Sequence, residues 1–296
     1  MRAPGPGEAD AEEVADVSHP LTISLEGRTA LVTGGGTGIG KACAGAMARL
    51  GAVVTIAGPD AAVLEQAADE LGPDGTVRFV RADVTEEDQV AEAVEVAAAA
   101  GGGRLDIALA NAGTGFPGSL LHLSKEHWMV PLGVNVLGTA FTIKHAAARM
   151  LSAGGSIITV SSGASSRLTK FMMSYSVTKA AVDELTRAAA QELGPFGIRV
   201  NCIRPGWIET QALASAATES NRTHALAETP LGRLGEVEDV TRAVVYLASD
   251  QSEWVTGQIL NVCGGFNLIP PSMDLEGSAR ALFPDEMARD FGRVPQ

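Results

Sequence analysis

The chain is 296 residues long, 46% hydrophobic, 19% charged and 4% aromatic, with a formal net charge of −13. That apolar content excludes wholesale disorder, and an excess of 35 acidic over 22 basic residues argues against nucleic acid or an anionic membrane as partner through a general positive field. It leaves room for one small anionic ligand in a local pocket.

Residues 1–22 read as a flexible acidic tail. Glu8, Asp10, Glu12, Glu13 and Asp16 stand against Arg2 alone, among Pro4, Gly5, Pro6 and Gly7. The tail lacks the basic start and apolar stretch of a secretion signal and is too acidic for a transit peptide. From residue 28, short β-branched runs alternate with Ala-rich stretches of helical spacing. Strands are expected at 28–33, 53–57, 77–82, 107–110, 156–160, 199–203 and 259–262. Helices are expected at 39–50, 60–71, 86–100, 124–151, 174–193 and 236–249. The helix over 124–151 contains Pro131 and Gly133, so a kink is expected there. Alternation of this kind predicts parallel βαβ units with right-handed crossovers. The fold class expected is α/β, one doubly wound domain with a seven-stranded parallel sheet covered on both faces, its strands apolar throughout. Ligands then sit beyond the carboxyl ends of the strands. No run of about 18 apolar residues occurs, so no membrane span is expected. Cys43, Cys202 and Cys263 lie far apart with no Cys-x-x-Cys pair. An odd count leaves a thiol unpaired, which suits a reduced, cytoplasmic protein. Each cysteine is read as buried filler, and no metal site is expected.

Thr33-Gly34-Gly35-Gly36-Thr37-Gly38-Ile39-Gly40 follows the first strand and opens the first helix. Gly34 permits a tight turn, Gly38 lets backbone approach a pyrophosphate, and Gly40 allows close packing. The helix start offers free N–H groups and a partial positive charge. At the end of the second strand, Gly58 supplies no acid for a ribose diol and Pro59 no cation for a ribose phosphate. Asp60 reads as a helix cap. NAD and NADP are therefore not distinguished. Asp83-Val84 and Asn111-Ala112-Gly113 close the third and fourth strands, each a turn or a contact for a bound nucleoside.

Tyr175 and Lys179 share one face of a predicted helix. A phenol titrates near pH 10, and an ammonium beside it favours the phenolate, which suits proton transfer near neutrality. Ser162 ends the fifth strand, where a hydroxyl can donate to a substrate oxygen. Asn135 is an unusual polar residue between Val134 and Val136, read either as a satisfied core amide or as the holder of a relay water.

Together these motifs resemble the short-chain dehydrogenase/reductase family over about residues 25–265. The matching pieces are T-G-x-x-x-G-x-G at 33–40, Asp83, N-A-G at 111–113, Asn135, Ser162, Y-x-x-x-K at 175–179, and Pro205-Gly206. The resemblance implies an NAD(P)-dependent oxidoreductase acting on an alcohol or ketone, with Tyr175 as acid/base and Ser162 polarising the reacting oxygen. It implies that Lys179 binds the nicotinamide ribose and that Asn135 anchors the water. It places the cofactor along Gly34, Thr37, Gly38, Ile39, Gly40, Asp83, Val84, Asn111, Ala112, Gly113, Tyr175, Lys179, Pro205 and Gly206. Ile208 and Thr210 would meet its carboxamide end. It implies a homotetramer as well. The chain departs from the family pattern at Gly58, Pro59, Ala110, Pro131 and Cys263.

Substrate contacts are expected from 114–120, 164–173 and 207–234, with Phe116, Phe171, Met172, Met173 and Trp207 giving an apolar lining and 207–234 serving as a lid. The substrate expected is an apolar alcohol or ketone. The alternatives are an enoyl- or dienoyl-thioester reductase and a non-catalytic dinucleotide-binding sensor. The division expected is a tail at 1–22, a catalytic domain at 23–265 and an extension at 266–296, whose Leu282, Phe283, Met287 and Phe291 are candidates to dock on a neighbour.

Overall fold

Strand β1 (Thr29–Thr33) is buried along its whole length. Five consecutive buried residues need cover on both faces, which the centre of a parallel sheet supplies. In the computed structural model the residues described are 22–72, 76–167, 169–211, 213, 218–268 and 284–291. Around β1 stand β2 (Val53–Gly58), β3 (Val77–Arg81), β4 (Ile107–Ala110), β5 (Gly155–Val160), β6 (Ile198–Pro205) and β7 (Ile259–Val262). All neighbours run parallel, in the order β3-β2-β1-β4-β5-β6-β7. The order reverses beside β1, so the carboxyl ends of β1 and β4 open a crevice there.

The helices are α1 (Gly38–Arg49), α2 (Ala61–Leu71), α3 (Glu87–Ala100), α4 (Lys125–Pro131), α5 (Gly138–Met150), α6 (Met173–Leu193), α7 (Glu219–Ala227), α8 (Val237–Ala248) and α9 (Pro284–Phe291). One core layer joins Val32, Ile56 and Ile158 of the sheet to Met47 of α1, Leu64 of α2 and Val244 of α8. The other joins Leu31, Ala108 and Ile157 to Val94 of α3, Ile143 of α5 and Ala190 of α6. Asp60 caps α2, its Oδ1 accepting from the N–H groups of Ala62 (3.0 Å) and Val63 (3.3 Å).

Two expectations need correction. The edge strands are not apolar throughout: β3 exposes Arg78, Phe79 and Arg81, and β7 exposes Leu260 and Asn261. Each lacks a strand neighbour on one side. Cys263 is only half-buried because it lies past the end of β7, whereas Cys43 and Cys202 are buried as expected.

The break in the helix over 124–151 is a π-helical turn, Leu132–Leu137, between α4 and α5. Pro131 ends α4, and the wider turn carries Asn135, which is fully buried. Such turns often mark functional positions. Gly138 then lets α5 approach the loop after β3, because a Cβ there would lie 2.7 Å from Val84 Cγ2. Among the residues of the expected C-terminal extension, Pro284–Phe291 is helical with Met287 half-buried, while Leu282 and Phe283 lie outside the described residues.

Candidate active site

At Gly34, Gly35 and Gly40 the glycine turn is built on contacts that leave no space for side chains. Gly34 has φ +63°, in the left-handed region that favours glycine. A Cβ on Gly40 would sit 2.2 Å from the Gly34 carbonyl oxygen and 2.5 Å from Asn111 Nδ2. Asn111 Nδ2 donates to the carbonyls of Thr33 (3.1 Å) and Gly34 (3.0 Å). Thr33 Oγ1 accepts from the N–H groups of Asn111 (3.1 Å) and Ala112 (3.3 Å). The amide of Asn111 is thus spent on the turn, and its contribution to a ligand would be to fix that turn.

Helix α1 starts beneath it. Thr37 makes no side-chain cap, and the first turn of α1 contains no acid. Gly38 has φ +52°, and a Cβ there would meet only the Thr210 methyl at 3.7 Å. Thr210 therefore closes over the turn from the loop after β6. Uncapped N–H groups beside backbone open to the cleft suit a pyrophosphate, so the chain's own residues fit a dinucleotide. Asp83 Oδ1 accepts from Thr85 N (2.9 Å) and Thr85 Oγ1 (2.8 Å), fixing the turn after β3. The side chains of Val84 and Ile208 are buried, so what they offer a ligand is backbone. Gly206 N donates to the Val262 carbonyl at 3.0 Å. Its missing side chain leaves space for Cys263, whose Cα would lie 2.8 Å from a Cβ.

The structure brings Asn135, Tyr175 and Lys179 around one strip of backbone, Gly113–Gly115. Asn135 Oδ1 accepts from Thr114 N at 2.8 Å, and its Nδ2 donates to the Thr114 carbonyl and to Thr178 Oγ1, each at 2.8 Å. Both amide protons are therefore used, and one Oδ1 lone pair is left for a water. A Cβ on Gly113 would lie 3.0 Å from Lys179 Nζ and 3.4 Å from Asn135 Oδ1. On Gly115 it would lie 2.5 Å from Tyr175 Cδ2, so the phenol ring packs on bare backbone.

Lys179 is 3% exposed. Its Nζ donates to the Val160 carbonyl at 2.8 Å and lies 5.8 Å from the Tyr175 ring centroid. Ser161 Oγ donates to the Lys179 carbonyl at 2.9 Å, tying β5 to α6. Ser162 follows, its Oγ accepting from Ala164 N at 3.2 Å. Sequence reasoning missed Thr178, which donates to the Tyr175 carbonyl at 2.8 Å while accepting from Asn135. Its signal was its place between Tyr175 and Lys179 in Y-x-x-x-K.

The expected apolar lining is partly open. Phe171 is 55% exposed and holds φ +65°, a strained value for a bulky residue. Its carbonyl accepts from Gly118 N at 2.8 Å, joining the loops after β4 and β5. Phe116 packs edge-on against His127 at 5.5 Å, and Trp207 against Phe266 at 6.5 Å. A separate hollow of about 490 Å³ opens at the amino ends of β4–β6, far from these groups. Of the charged residues lining it, Arg28 donates to Asp250 at 2.9 Å, and Arg199 donates to Ser252 Oγ at 2.8 Å and to the Leu247 carbonyl at 3.1 Å.

A family model described as enoyl-(acyl carrier protein) reductase matches residues 34–267. The cis-4-hydroxycyclohexanecarboxylate dehydrogenase of Sinomonas cyclohexanicum is 40% identical over 245 residues, which cover 82% of this chain and 97% of that protein. The 7alpha-hydroxysteroid dehydrogenase of Escherichia coli (strain K12) is 35% identical over 245 residues, 82% of this chain and 95% of that one. Among solved structures, a short-chain type dehydrogenase/reductase from Mycobacterium ulcerans superposes with a TM-score of 0.81 at 38% identity, covering 90% of this chain and 99% of its own.

Proposed function

The chain belongs to the short-chain dehydrogenase/reductase family, and from that premise we propose that it interconverts a cyclic, largely apolar secondary alcohol and its ketone. It is an NAD(P)-dependent oxidoreductase of the CH–OH/C=O class. The nicotinamide ring, when bound, supplies or accepts the hydride. Tyr175 Oη gives a proton to the carbonyl oxygen in reduction and takes it from the hydroxyl in oxidation. Ser162 Oγ donates to the same oxygen and steadies its developing charge. Lys179, buried with its Nζ 5.8 Å from the centre of the phenol ring, turns its remaining protons to the cleft at Gly113 and binds the ribose. Asn135 holds the Thr114 backbone and accepts from a relay water with its spare lone pair.

Gly34, Thr37, Gly38, Ile39 and Gly40 take the pyrophosphate; Asp83 and Val84 take the adenosine. Asn111, Ala112, Gly113, Pro205, Gly206, Ile208 and Thr210 shape the path to the nicotinamide. The observation that carries the reading is the convergence of Lys179 Nζ, the Tyr175 ring and Asn135 Oδ1 on Gly113–Gly115. A thioester reductase is the second reading, favoured by the enoyl-(acyl carrier protein) reductase description of the matching family. The cyclic alcohols in the names of the two dehydrogenases favour the first.

The catalytic unit is residues 23–265, flanked by 1–22 and 266–296. It assembles as a homotetramer through exposed apolar side chains: Met129 on α4, Leu137 at the end of the π-helical turn, and Met173 and Val177 on α6. Three free cysteines suit a reducing, cytoplasmic setting. Among the described residues no helix is long and apolar enough to cross a membrane.

The test is fluorescence titration with NADH and with NADPH, then a panel of cyclic alcohols and ketones beside enoyl thioesters with the tighter cofactor. Turnover of a cyclic alcohol supports the reading. Turnover of enoyl thioesters alone overturns it in favour of the second.

A further inference from the structure

The loop after Ser162 carries a cation that the chemistry above does not use. Arg167 Nη2 donates to Glu228 Oε2, at the end of the lid helix α7. Its Nη1 donates to the Phe266 carbonyl, just beyond β7, and its guanidinium carbon lies 4.2 Å from the centroid of the Phe266 ring. Three chain segments far apart in sequence thus meet on one side chain. The guanidinium does this because it is planar and forked: it lies on a ring while donating in two directions. An ammonium is a point charge and cannot serve both acceptors and the ring in one position.

The same junction is held a second time. Asn267 Nδ2 donates to Ser166 Oγ at 3.4 Å and to Asn261 Oδ1 at 3.0 Å. A Cβ on Gly163 would lie 2.6 Å from Asn267 Oδ1. The segment Phe266–Asn267 is therefore pressed on the loop that begins at Ser162. On the far side, the lid is moored by Arg222, which donates to Glu209 after β6. Below it, Leu231 N donates to the Gly264 carbonyl at 3.1 Å. Trp207, from the start of the lid segment, packs on the other partner of Arg167, the Phe266 ring.

We propose that Arg167 is a positioning residue that clamps the Ser162 loop, the lid helix and the Phe266–Asn267 segment into one wall of the substrate pocket, setting affinity for the alcohol or ketone while leaving the dinucleotide site untouched. The substrate part rests on the reading of the cleft given above. The mechanical part does not, because it stands on the bonds of Arg167 to Glu228 and Phe266 alone. Glu228 is the counter-charge that makes the clamp specific: without it the guanidinium keeps only Phe266 and the lid end is released.

The experiment uses the full chain as wild type, Arg167→Gln, Arg167→Lys, Glu228→Gln and the Arg167→Gln/Glu228→Gln double variant. Limited proteolysis without cofactor reads the lid directly. Cleavage within 219–231 should accelerate about tenfold in each variant, about 1.4 kcal/mol of closure, with the rest of the chain resistant. The double variant should match Arg167→Gln alone, since Glu228 acts on the clamp only through Arg167. With the preferred cofactor saturating, KM for the cyclic alcohol should rise about tenfold in Arg167→Gln while kcat changes less than about threefold, an effect on binding shared by ground and transition states. Cofactor Kd should stay within about twofold, because the clamp touches no part of the glycine turn, and Arg167→Lys should recover less than half of the KM effect.

Unchanged lid cleavage overturns the clamp. So does a loss of cofactor affinity equal to the rise in KM, or additive effects in the double variant. If the wild type turns over no alcohol, the functional reading fails while proteolysis still decides the clamp. If Arg167→Gln does not fold, Glu228→Gln carries both readouts.

Discussion

Gly40 leans on Gly34 within one turn of chain, whereas Arg167 reaches Glu228 across 61 residues and Phe266 across 99. The dinucleotide half of the cleft is made of short turns whose shape rests on glycines, fastened by a single distant side chain, Asn111. The substrate half is made of long segments held by side chains from distant parts of the sequence. Damage to the first should be abrupt, because a displaced turn has no intermediate state. Damage to the second should be graded, one tether at a time. Tyr175 sits at the seam, packed on Gly115 with Lys179 behind it.

The largest effect is expected at that seam. Tyr175→Phe keeps the ring on Gly115 and removes only the hydroxyl that carries the exchangeable proton, so turnover should fall by about 10³ or more, near the upper range for a lost acid/base group. Affinity for NAD(P)H, read by fluorescence, should remain within about twofold of wild type. Retained activity would remove Tyr175 from the mechanism, and a parallel loss of cofactor affinity would show that the halves are not separable.

Next come two glycines that look alike in sequence and differ in their surroundings. Gly40→Ala drives a Cβ into the Gly34 carbonyl, so the turn must open. Cofactor affinity should fall about 100-fold, and the free protein should lose several kcal/mol of stability. Gly38→Ala meets no protein atom closer than 3.7 Å. It should cost the free protein only about 1–2 kcal/mol for its positive φ while still weakening the cofactor. Paired thermal melts and titrations check both. Equal destabilisation by the two substitutions would break the distinction between a packing glycine and a ligand-facing one.

Much of this was legible beforehand, for a physical reason. A strand of β-branched residues, a glycine turn and an Ala-rich helix declare themselves through local spacing, and all seven strands and their parallel direction follow from repeats of that unit. Y-x-x-x-K is legible because helical periodicity alone brings its ends together. The kink at Pro131 was visible, but its form as a π-helical turn was not, since backbone hydrogen-bond register leaves no residue signature. Thr178 was overlooked because threonine in a helix is ordinary until its hydroxyl is seen between Asn135 Nδ2 and the Tyr175 carbonyl. Arg167, Glu228 and Asn267 were illegible: their partners lie too far away in sequence for spacing to reveal.

Thr178→Val turns the overlooked residue into a test of intermediate size. It strands one buried proton of the Asn135 amide, at a cost of about 1–3 kcal/mol, and frees the Thr114 loop beneath Lys179. The melting temperature should drop and turnover should fall about tenfold, with both restored by Thr178→Ser. Failure of serine to rescue would mean that the methyl, and hence packing, is what matters at this position.

The smallest effect concerns acid and the base of the lid. Arg233 follows Pro230-Leu231-Gly232 and donates to both oxygens of Asp239 (2.7 and 2.9 Å), while Glu236 N donates to Oδ2 at 2.9 Å. These bonds, Arg233 first and the Glu236 amide second, hold the Asp239 carboxyl down to about 2 from 3.8. A carboxylate whose folded value is depressed adds stability that is fully present above its unfolded value and is lost as pH falls through the folded one. The window here is therefore about pH 4 to 2. The side chain is 21% exposed, so solvent screening leaves the contribution near 1 kcal/mol at pH 7. Asp239→Asn should lose that amount at pH 7 in denaturant melts, and the gap from wild type should close towards pH 2, where the native carboxyl is also protonated. In parallel, cleavage of 219–231 in wild type should quicken as pH falls through that window, and in Asp239→Asn it should be quick already at pH 7. A gap that stays constant with pH would mean that the pair is only a surface contact. The lid would then be moored by Arg167, Arg222 and the Leu231–Gly264 bond, and the substrate half would depend on fewer tethers than its geometry displays.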